Sequence, residues 1–305
     1  MHGAVPVFAD VEEETFCLDP KSLEAVVSPL SQAVIPVHLF GQSAAMEELL
    51  EVARHHKLRI IEDCAQAPGA TYKGRKVGTL GDCGIFSFQE TKNLMTGEGG
   101  MLITNDPIIA EIARLIRNHG EAAVPPGEAR SYKAEILGWN YRMTEFEAAI
   151  GRVQLRQLTT QNGVRQRLAA YLTRALSDIP WLRVPSIRPE CEHVYYVYPL
   201  LYDEAIWGIP RARFVEAVTA EGIPISGGYV KPLYLSPLYQ ERRAWAFRAY
   251  QGTAHYKDGI CPVVERLHRQ SMLILAVVRP PATEHDMDDI IATIRKVWGH
   301  RKALA

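Results

Sequence analysis

Short apolar, β-branched runs alternate along the first half of the chain with stretches whose apolar residues recur every three or four positions, the pattern of strands and helices taking turns. AVIPVHL (33–39) and LRIIE (58–62) read as strands. Between them, MEELLEVARHH (46–56) is an amphipathic helix with its apolar face at Met46, Leu49, Leu50 and Ala53. GIFSF (84–88) and MLITN (101–105) are two further strands, and PIIAEIARLIRNHG (107–120) is a helix with proline at its start and glycine at its end. A loop rich in Pro and Gly then runs to about Arg130, after which Phe146, Ile150 and Val153 mark one face of a helix over 144–160.

This alternation predicts an α/β layer around a mostly parallel sheet. Beyond about 165 the texture changes to one more helix, an alternating strand VYYVYPLLY (194–202), a helix RARFVEAVTAE (211–221) and a terminal helix near 285–298. The chain therefore divides into a large domain, 1–164, and a smaller α+β C-terminal domain, 165–305. GIPISGGYVKPLYLSPLYQ (222–240) is too rich in Gly, Pro and Tyr for a regular helix and reads as an exposed or site-lining loop.

Composition narrows the function classes. With 305 residues, 47% apolar and 23% charged, the chain can bury a large core. Lys plus Arg is 34 against 35 for Asp plus Glu, so there is no broad basic field for nucleic acid or anionic lipid. No apolar run approaches a membrane span, MLILAVV (272–278) being among the longest, and MHGAVPVFADVEEE has no secretory signal pattern. The five cysteines are scattered without a CxxC pair, which predicts reduced thiols in a cytoplasmic protein.

Two segments place reactive residues directly after buried strands: LRIIEDCAQAPGA (58–70) and GIFSFQETKNLMTGEGGMLITND (84–106). Ligands of open α/β sheets bind at the carboxyl ends of parallel strands, so Asp63 and Lys92 are candidates for one pocket. On their own, a turn-capping aspartate and a solvated lysine are the commoner account of such a pair. GEGG (97–100) reads as a tight turn, because no GxxxxGK[ST] or helix-opening GxGxxG accompanies it. His55 and His56 suit a helix C-terminus and no metal site is expected, while Tyr195, Tyr196 and Tyr198 read as core or interface.

EDCAQAPGA, FSFQETKNLMTGEGGMLITN, RNHG and GWNYRMTEFEAAIGRVQL, in that order, resemble the DegT/DnrJ/EryC1/StrS family of pyridoxal-phosphate-dependent sugar aminotransferases. The resemblance runs in register from GAVPVFADV (3–11) through VIPVHLFGQ (34–42) to CPVVERLHRQSMLIL (261–275). It implies the PLP-dependent transferase fold of type I aminotransferases, with pyridoxal 5'-phosphate as cofactor. Lys92 would carry the imine link to the cofactor, Asp63 would pair with the pyridine nitrogen, Gln66 would reach the ring's 3-oxygen and Ser87 would bind the phosphate. Asn140 would reach the phosphate of the neighbouring subunit's cofactor, implying a homodimer with shared active sites. His119, Tyr229 and Lys231 are candidate substrate contacts.

These residue types suit the chemistry. A carboxylate favours the protonated, cationic ring that draws electrons from the substrate carbon. A lysine serves first as the amine that condenses with an aldehyde and then as the base that moves a proton between carbons. The expected reaction transfers an amino group from glutamate or glutamine to a keto-sugar or cyclitol ketone, in secondary-metabolite or cell-surface sugar biosynthesis.

Relative to the family pattern, Met1 aligns with the middle of the large domain, so the elements carrying a Gly-Thr phosphate turn and a ring-stacking aromatic are expected to be absent. A wrongly assigned start codon is the favoured explanation, ahead of a fragment or a genuinely shortened homologue. Such a sheet would expose apolar face and unpaired edge. Two alternatives follow: a non-catalytic partner or scaffold, and a pyridoxal-phosphate-dependent sugar dehydratase. Lys92 argues against the second, whose relatives place histidine there.

Overall fold

The computed structural model describes residues 3–124, 127–129, 132–248, 250, 252 and 254–304. One sheet has the order β1 (Ala33–Val34), β2 (Arg59–Asp63), β3 (Cys83–Ser87) and β4 (Gly100–Ile103). The first three strands are parallel, with Ala33 opposite Arg59 and Asp63 opposite Ile85, and β4 runs antiparallel with Gly100 opposite Ser87. The expected strand over 33–39 shortens to β1 because Pro36 has no N–H to give a ladder. Val37 resumes the pairing as an isolated parallel bridge to Asp63.

Helices α1 (Pro20–Val26) and α2 (Met46–His56) cover the β1–β2 side. On α2, Met46, Leu49 and Ala53 are buried against Val34 and Ile60, with Leu50 half-buried beside them. Glu47 and Glu48 occupy its first turn and Arg54, His55 and His56 its last, matching the helix dipole, and Lys57 ends it in the left-handed conformation at φ 58°. Helix α3 (Pro107–Arg117) starts where Asp106 accepts the N–H groups of Ile108 and Ile109.

Helix α4 (Glu145–Leu176) is a single 32-residue element, opened by a capping box between Thr144 and Glu147. The sequence pattern predicts two helices here, one over 144–160 and one beyond about 165, and Gly163 lies between them. Glycine inside a helix costs about 1 kcal/mol, and the hydrogen bonds that neighbouring Asn162 gives to the Pro68 carbonyl and accepts from Asn93 offset it. The face carrying Phe146, Ile150 and Val153 is exposed among the described residues, as are Met101 and Leu102 on the β4 edge.

From Leu168 onward α4 turns into the second core, where it meets α6 (Glu284–Gly299). These helices and α5 (Arg211–Ala220) cover an antiparallel sheet. Its order is β7 (Ile225–Gly227), β8 (Met272–Leu275), β6 (Tyr198–Tyr202) and β5 (Leu182–Arg183). Trp181 and Trp207 stack in this core with ring centroids 4.3 Å apart. Two expectations change here. The strand over 194–202 begins only at Tyr198, because Tyr195 takes φ 45° and the N–H groups of Val194 and Tyr196 go to the carbonyls of Gly41 and Phe40. The expected loop over 222–240 contains β7, whose Ser226 pairs with Ile274.

Candidate active site

Parallel β2 and β3 end at one edge, and their register sets Asp63 beside Ile85, two residues before Ser87. The chain before α2 reaches the same edge, where the His38 N–H donates to the Asp63 carbonyl at 3.0 Å. Asp63 is half-buried; its Oδ1 accepts the Ala65 N–H at 3.0 Å, and Oδ2 has no hydrogen-bond partner among the described residues.

Gln66 follows within one turn and is buried. Its Oε1 accepts the Phe40 N–H at 2.8 Å and its Nε2 donates to the Tyr229 hydroxyl at 2.9 Å. A backbone N–H can only donate, so it fixes which end of the amide is oxygen. Phe40 can aim that N–H because it sits in the left-handed region, φ 59°. Its ring meets the Tyr229 ring edge-on at 5.1 Å.

Past Ser87 the chain makes a closed loop that carries the lysine. Phe88 N–H donates to the Gly99 carbonyl and Thr96 N–H to the Phe88 carbonyl. Gly97 (φ 89°) and Gly99 (φ 137°) turn it back into β4, which bears out the tight-turn reading of GEGG. Ser87 Oγ accepts the Gln89 N–H at 3.4 Å, leaving its own proton to donate. Lys92 is half-buried, its Nζ lies 4.8 Å from the centroid of the Tyr196 ring, and it makes no ion pair among the described residues. The Tyr196 hydroxyl in turn shares a 2.8 Å hydrogen bond with Thr91 Oγ1.

Two buried amides join the lysine loop to the aspartate loop. Asn93 Nδ2 donates to Asn162 Oδ1 at 3.2 Å and to the Val194 carbonyl at 3.0 Å, and Asn162 Nδ2 donates to the Pro68 carbonyl at 2.9 Å. Helix α4 thereby holds the segments after β2 and β3 against one another. Gly69, at φ 90°, is required beside this bridge, since a Cβ there would stand 2.9 Å from Asn162 Nδ2.

Beneath the edge, Glu62 and His38 form a fully buried pair at 3.0 Å. Burial pushes the Glu62 carboxyl up, but the His38 hydrogen bond and the Gly81 and Gly78 N–H groups outweigh it and leave it below its ordinary value. His38 Nδ1 accepts the Ala44 N–H at 3.0 Å, so the proton lies on Nε2 and points at Glu62. His38, Glu62 and Cys64 are close enough to suggest a metal cluster, yet both imidazole nitrogens and both Glu62 oxygens are already committed. The group is a structural brace under the site.

The remaining candidates lie apart from this set. Asn140 bridges to Asn118 through its backbone and accepts from Arg142 Nε at 3.1 Å, and the His119 N–H donates to the Trp139 carbonyl. His119 lies in the turn beyond α3 and Asn140 pairs with that turn from the segment before α4, and no hydrogen bond joins either to Asp63, Gln66 or Lys92 among the described residues. Tyr229 is in the cluster through Gln66, whereas Lys231 is exposed. Sequence reading missed Phe40, Asn162 and Tyr196. The Tyr triplet does place Tyr195 and Tyr198 in the core, but Tyr196 faces the lysine.

A model of the DegT/DnrJ/EryC1/StrS aminotransferase family matches residues 1–295. The L-glutamine:2-deoxy-scyllo-inosose aminotransferase of Streptoalloteichus tenebrarius is 40% identical over 317 residues, covering 99% of this chain and 73% of that protein. The spore coat polysaccharide biosynthesis protein SpsC of Bacillus subtilis is 34% identical over 300 residues, covering 97% and 74%. Among solved structures, S. venezuelae DesV superposes with a TM-score of 0.82 at 32% identity, covering 97% of this chain and 72% of its own. With a family model spanning nearly its whole length and the fold shared with solved members, the chain belongs to the DegT/DnrJ/EryC1/StrS aminotransferase family.

Proposed function

We propose that the protein uses pyridoxal 5'-phosphate to move an amino group from glutamine or glutamate to the ketone of a cyclitol or sugar. One observation carries this reading: an unpaired, half-buried amine, Lys92, is held by the Asn93–Asn162–Pro68 bridge to the strand-end segment that carries Asp63 and Gln66. The residues fit the cofactor by their open valences. Asp63 Oδ2 has no partner, the Gln66 amide has a second N–H hydrogen beyond the one given to Tyr229, and the Ser87 hydroxyl has a proton to give.

When bound, pyridoxal phosphate supplies an electron sink for the amino-bearing carbon. Asp63 would hold the proton on the ring nitrogen, Gln66 would orient the ring through its oxygen, and Ser87 would grip the phosphate. Lys92 Nζ would carry the proton between the two reacting carbons. Relatives named for a cyclitol ketone and for GDP-perosamine support a polyhydroxylated ketone as acceptor. The exposed apolar residues of β4, α3 and early α4, together with Asn140 beyond them, support a homodimer in which Asn140 serves the second copy's site. Among the described residues no helix is long and apolar enough to cross a membrane.

The test is spectroscopic. Protein mixed with pyridoxal phosphate and gel-filtered should retain an imine absorption band, and Lys92→Ala should lose it. A band retained by Lys92→Ala would remove Lys92 from its role. Amino transfer from glutamine to 2-deoxy-scyllo-inosose, followed by mass spectrometry, then tests the acceptor class.

A further inference from the structure

The Tyr196 ring is fixed at both ends. The peptide leading into it has both polar groups engaged: the Tyr195 carbonyl accepts from Arg165 Nη1 at 3.0 Å, and the Tyr196 N–H goes to the Phe40 carbonyl at 2.8 Å. At the far end the hydroxyl meets Thr91 Oγ1 at 2.8 Å. The direction of that bond follows from its neighbours. Gln89 Oε1 accepts the Thr91 N–H at 2.9 Å, which identifies it as the amide oxygen. The Thr91 hydroxyl gives its proton to the same oxygen at 2.6 Å, so the Tyr196 hydroxyl donates to Thr91.

Thr91 immediately precedes Lys92, and the contact that anchors the ring therefore sets its face beside the lysine, whose Nζ lies 4.8 Å from the centroid. A cation within about 6 Å of an aromatic centroid is attracted to the ring's negative face. Other lysines are held by carboxylates: Lys73, 5.8 Å from the Tyr72 ring, also pairs with Glu47, and Lys296 pairs with Glu221. Lys92 has the ring and no carboxylate among the described residues. The difference has a chemical use. A carboxylate competes for the ammonium's proton, whereas a ring face has no site to take it and holds the charge more loosely. An amine that must return to a carbon and deliver a proton needs the looser hold.

We propose that Tyr196 is a positioning residue that receives the Lys92 ammonium when an incoming amino donor displaces it from the cofactor. This rests on the aminotransferase reading, and the test separates the two. Counted over the whole exchange, the donor nitrogen forms the double bond to the aldehyde carbon as the protonated imine bond from Nζ breaks. Two protons pass from the donor ammonium to Nζ, which departs as an ammonium. A ligand that displaces Lys92 therefore gains the ring contact, and uptake of the cofactor as an imine gives it up.

The two equilibria should respond to Tyr196 differently. 2-Methylglutamate carries the donor amine but no hydrogen on the amino-bearing carbon, so it displaces Lys92 and goes no further. Titrated into cofactor-loaded protein and followed through the imine band, it should bind about three- to tenfold more weakly in Tyr196→Leu. Tyr196→Phe, which keeps the ring face, should stay within about twofold of the unsubstituted protein. The Kd for pyridoxal phosphate, read from growth of the imine band in cofactor-free protein, should not rise in either variant. Weaker binding of both ligands in Tyr196→Leu, or a loss in Tyr196→Phe as large as in Tyr196→Leu, would make the residue a structural prop and overturn the proposal. Unchanged 2-methylglutamate binding in Tyr196→Leu overturns it while the cofactor reading stands. Unsubstituted protein that forms no imine band overturns the aminotransferase reading and the proposal with it.

Discussion

Asn162→Ala strikes the bridge that holds the lysine loop and the aspartate loop together. The substitution removes two hydrogen bonds, one donated to the Pro68 carbonyl at 2.9 Å and one accepted from Asn93 at 3.2 Å. Asn93 keeps its bond to Val194, but its Oδ1 is already buried without a partner, so it cannot re-form the contact by turning its amide. Two lost bonds at about 1 kcal/mol each, with a further 1–2 for a stranded buried carbonyl, predict a destabilisation of about 3–4 kcal/mol. Urea unfolding should show a lower midpoint at unchanged slope. Pyridoxal phosphate affinity should fall as well, by about tenfold or about 1.4 kcal/mol, because the residues proposed to grip opposite ends of the ring lose their common anchor. A double-mutant cycle with Asn93→Ala should return a coupling of about 0.5–1.5 kcal/mol. A loss below about 0.5 kcal/mol in the single mutant, or strict additivity in the cycle, would refute the bridge.

Other perturbations follow from the same geometry. Tyr229→Phe keeps the ring contact with Phe40 but removes the acceptor of Gln66 Nε2, and a loss of about 0.5–1.5 kcal/mol should appear as a two- to tenfold weaker cofactor Kd by fluorescence titration. Glu62→Gln replaces a carboxylate that accepts from Gly78, Leu80, Gly81 and His38, so thermal and urea unfolding should both show a loss of about 3 kcal/mol or more. Because the folded Glu62 carboxyl lies below its ordinary value, its contribution is full at neutral pH and disappears as pH falls through the acid range below 4.5. His193 acts earlier. Burial depresses its imidazole from 6.5 to about 3, so the fold is favoured above pH 6.5 and loses stability progressively as pH falls below it. His193→Asn, which can still accept the Tyr195 N–H, should flatten the urea midpoint against pH between about 6.5 and 4, and an unchanged slope would contradict this account.

The regular elements were legible because their signals are local. Pro107 and the Asp106 cap start α3, and the i, i+3, i+7 spacing of Met46, Leu49 and Ala53 marks the buried face of α2. Asp63 and Lys92 could be placed at one sheet edge because each follows a predicted strand of clear apolar character, whereas Ser87 was legible only through the family resemblance. The unread features depend on partners distant in sequence. Asn162 reaches Pro68 across 94 positions, and Gln66 reaches Tyr229 across 163. Nothing in the apolar rhythm marks an asparagine in mid-helix as a bridge, or the left-handed turn at Phe40 that aims its N–H. Tyr196 packs against the core as expected, but alternation was extended through Tyr195, whose positive φ breaks it and sends the next ring toward the lysine.

Phe40 has one further consequence. Its N–H goes to Gln66 beside the parallel sheet, and its carbonyl receives the N–H of Tyr196, two residues before the antiparallel sheet begins. A single peptide unit on each side of one residue thus rivets the two halves of the molecule at the reactive centre, with α4 as a second spar. A clamshell motion would have to shear both fastenings, so admission of a bulky ketone falls to the surface loops and to side-chain rotation, and the reactive groups keep their spacing while the entrance changes shape.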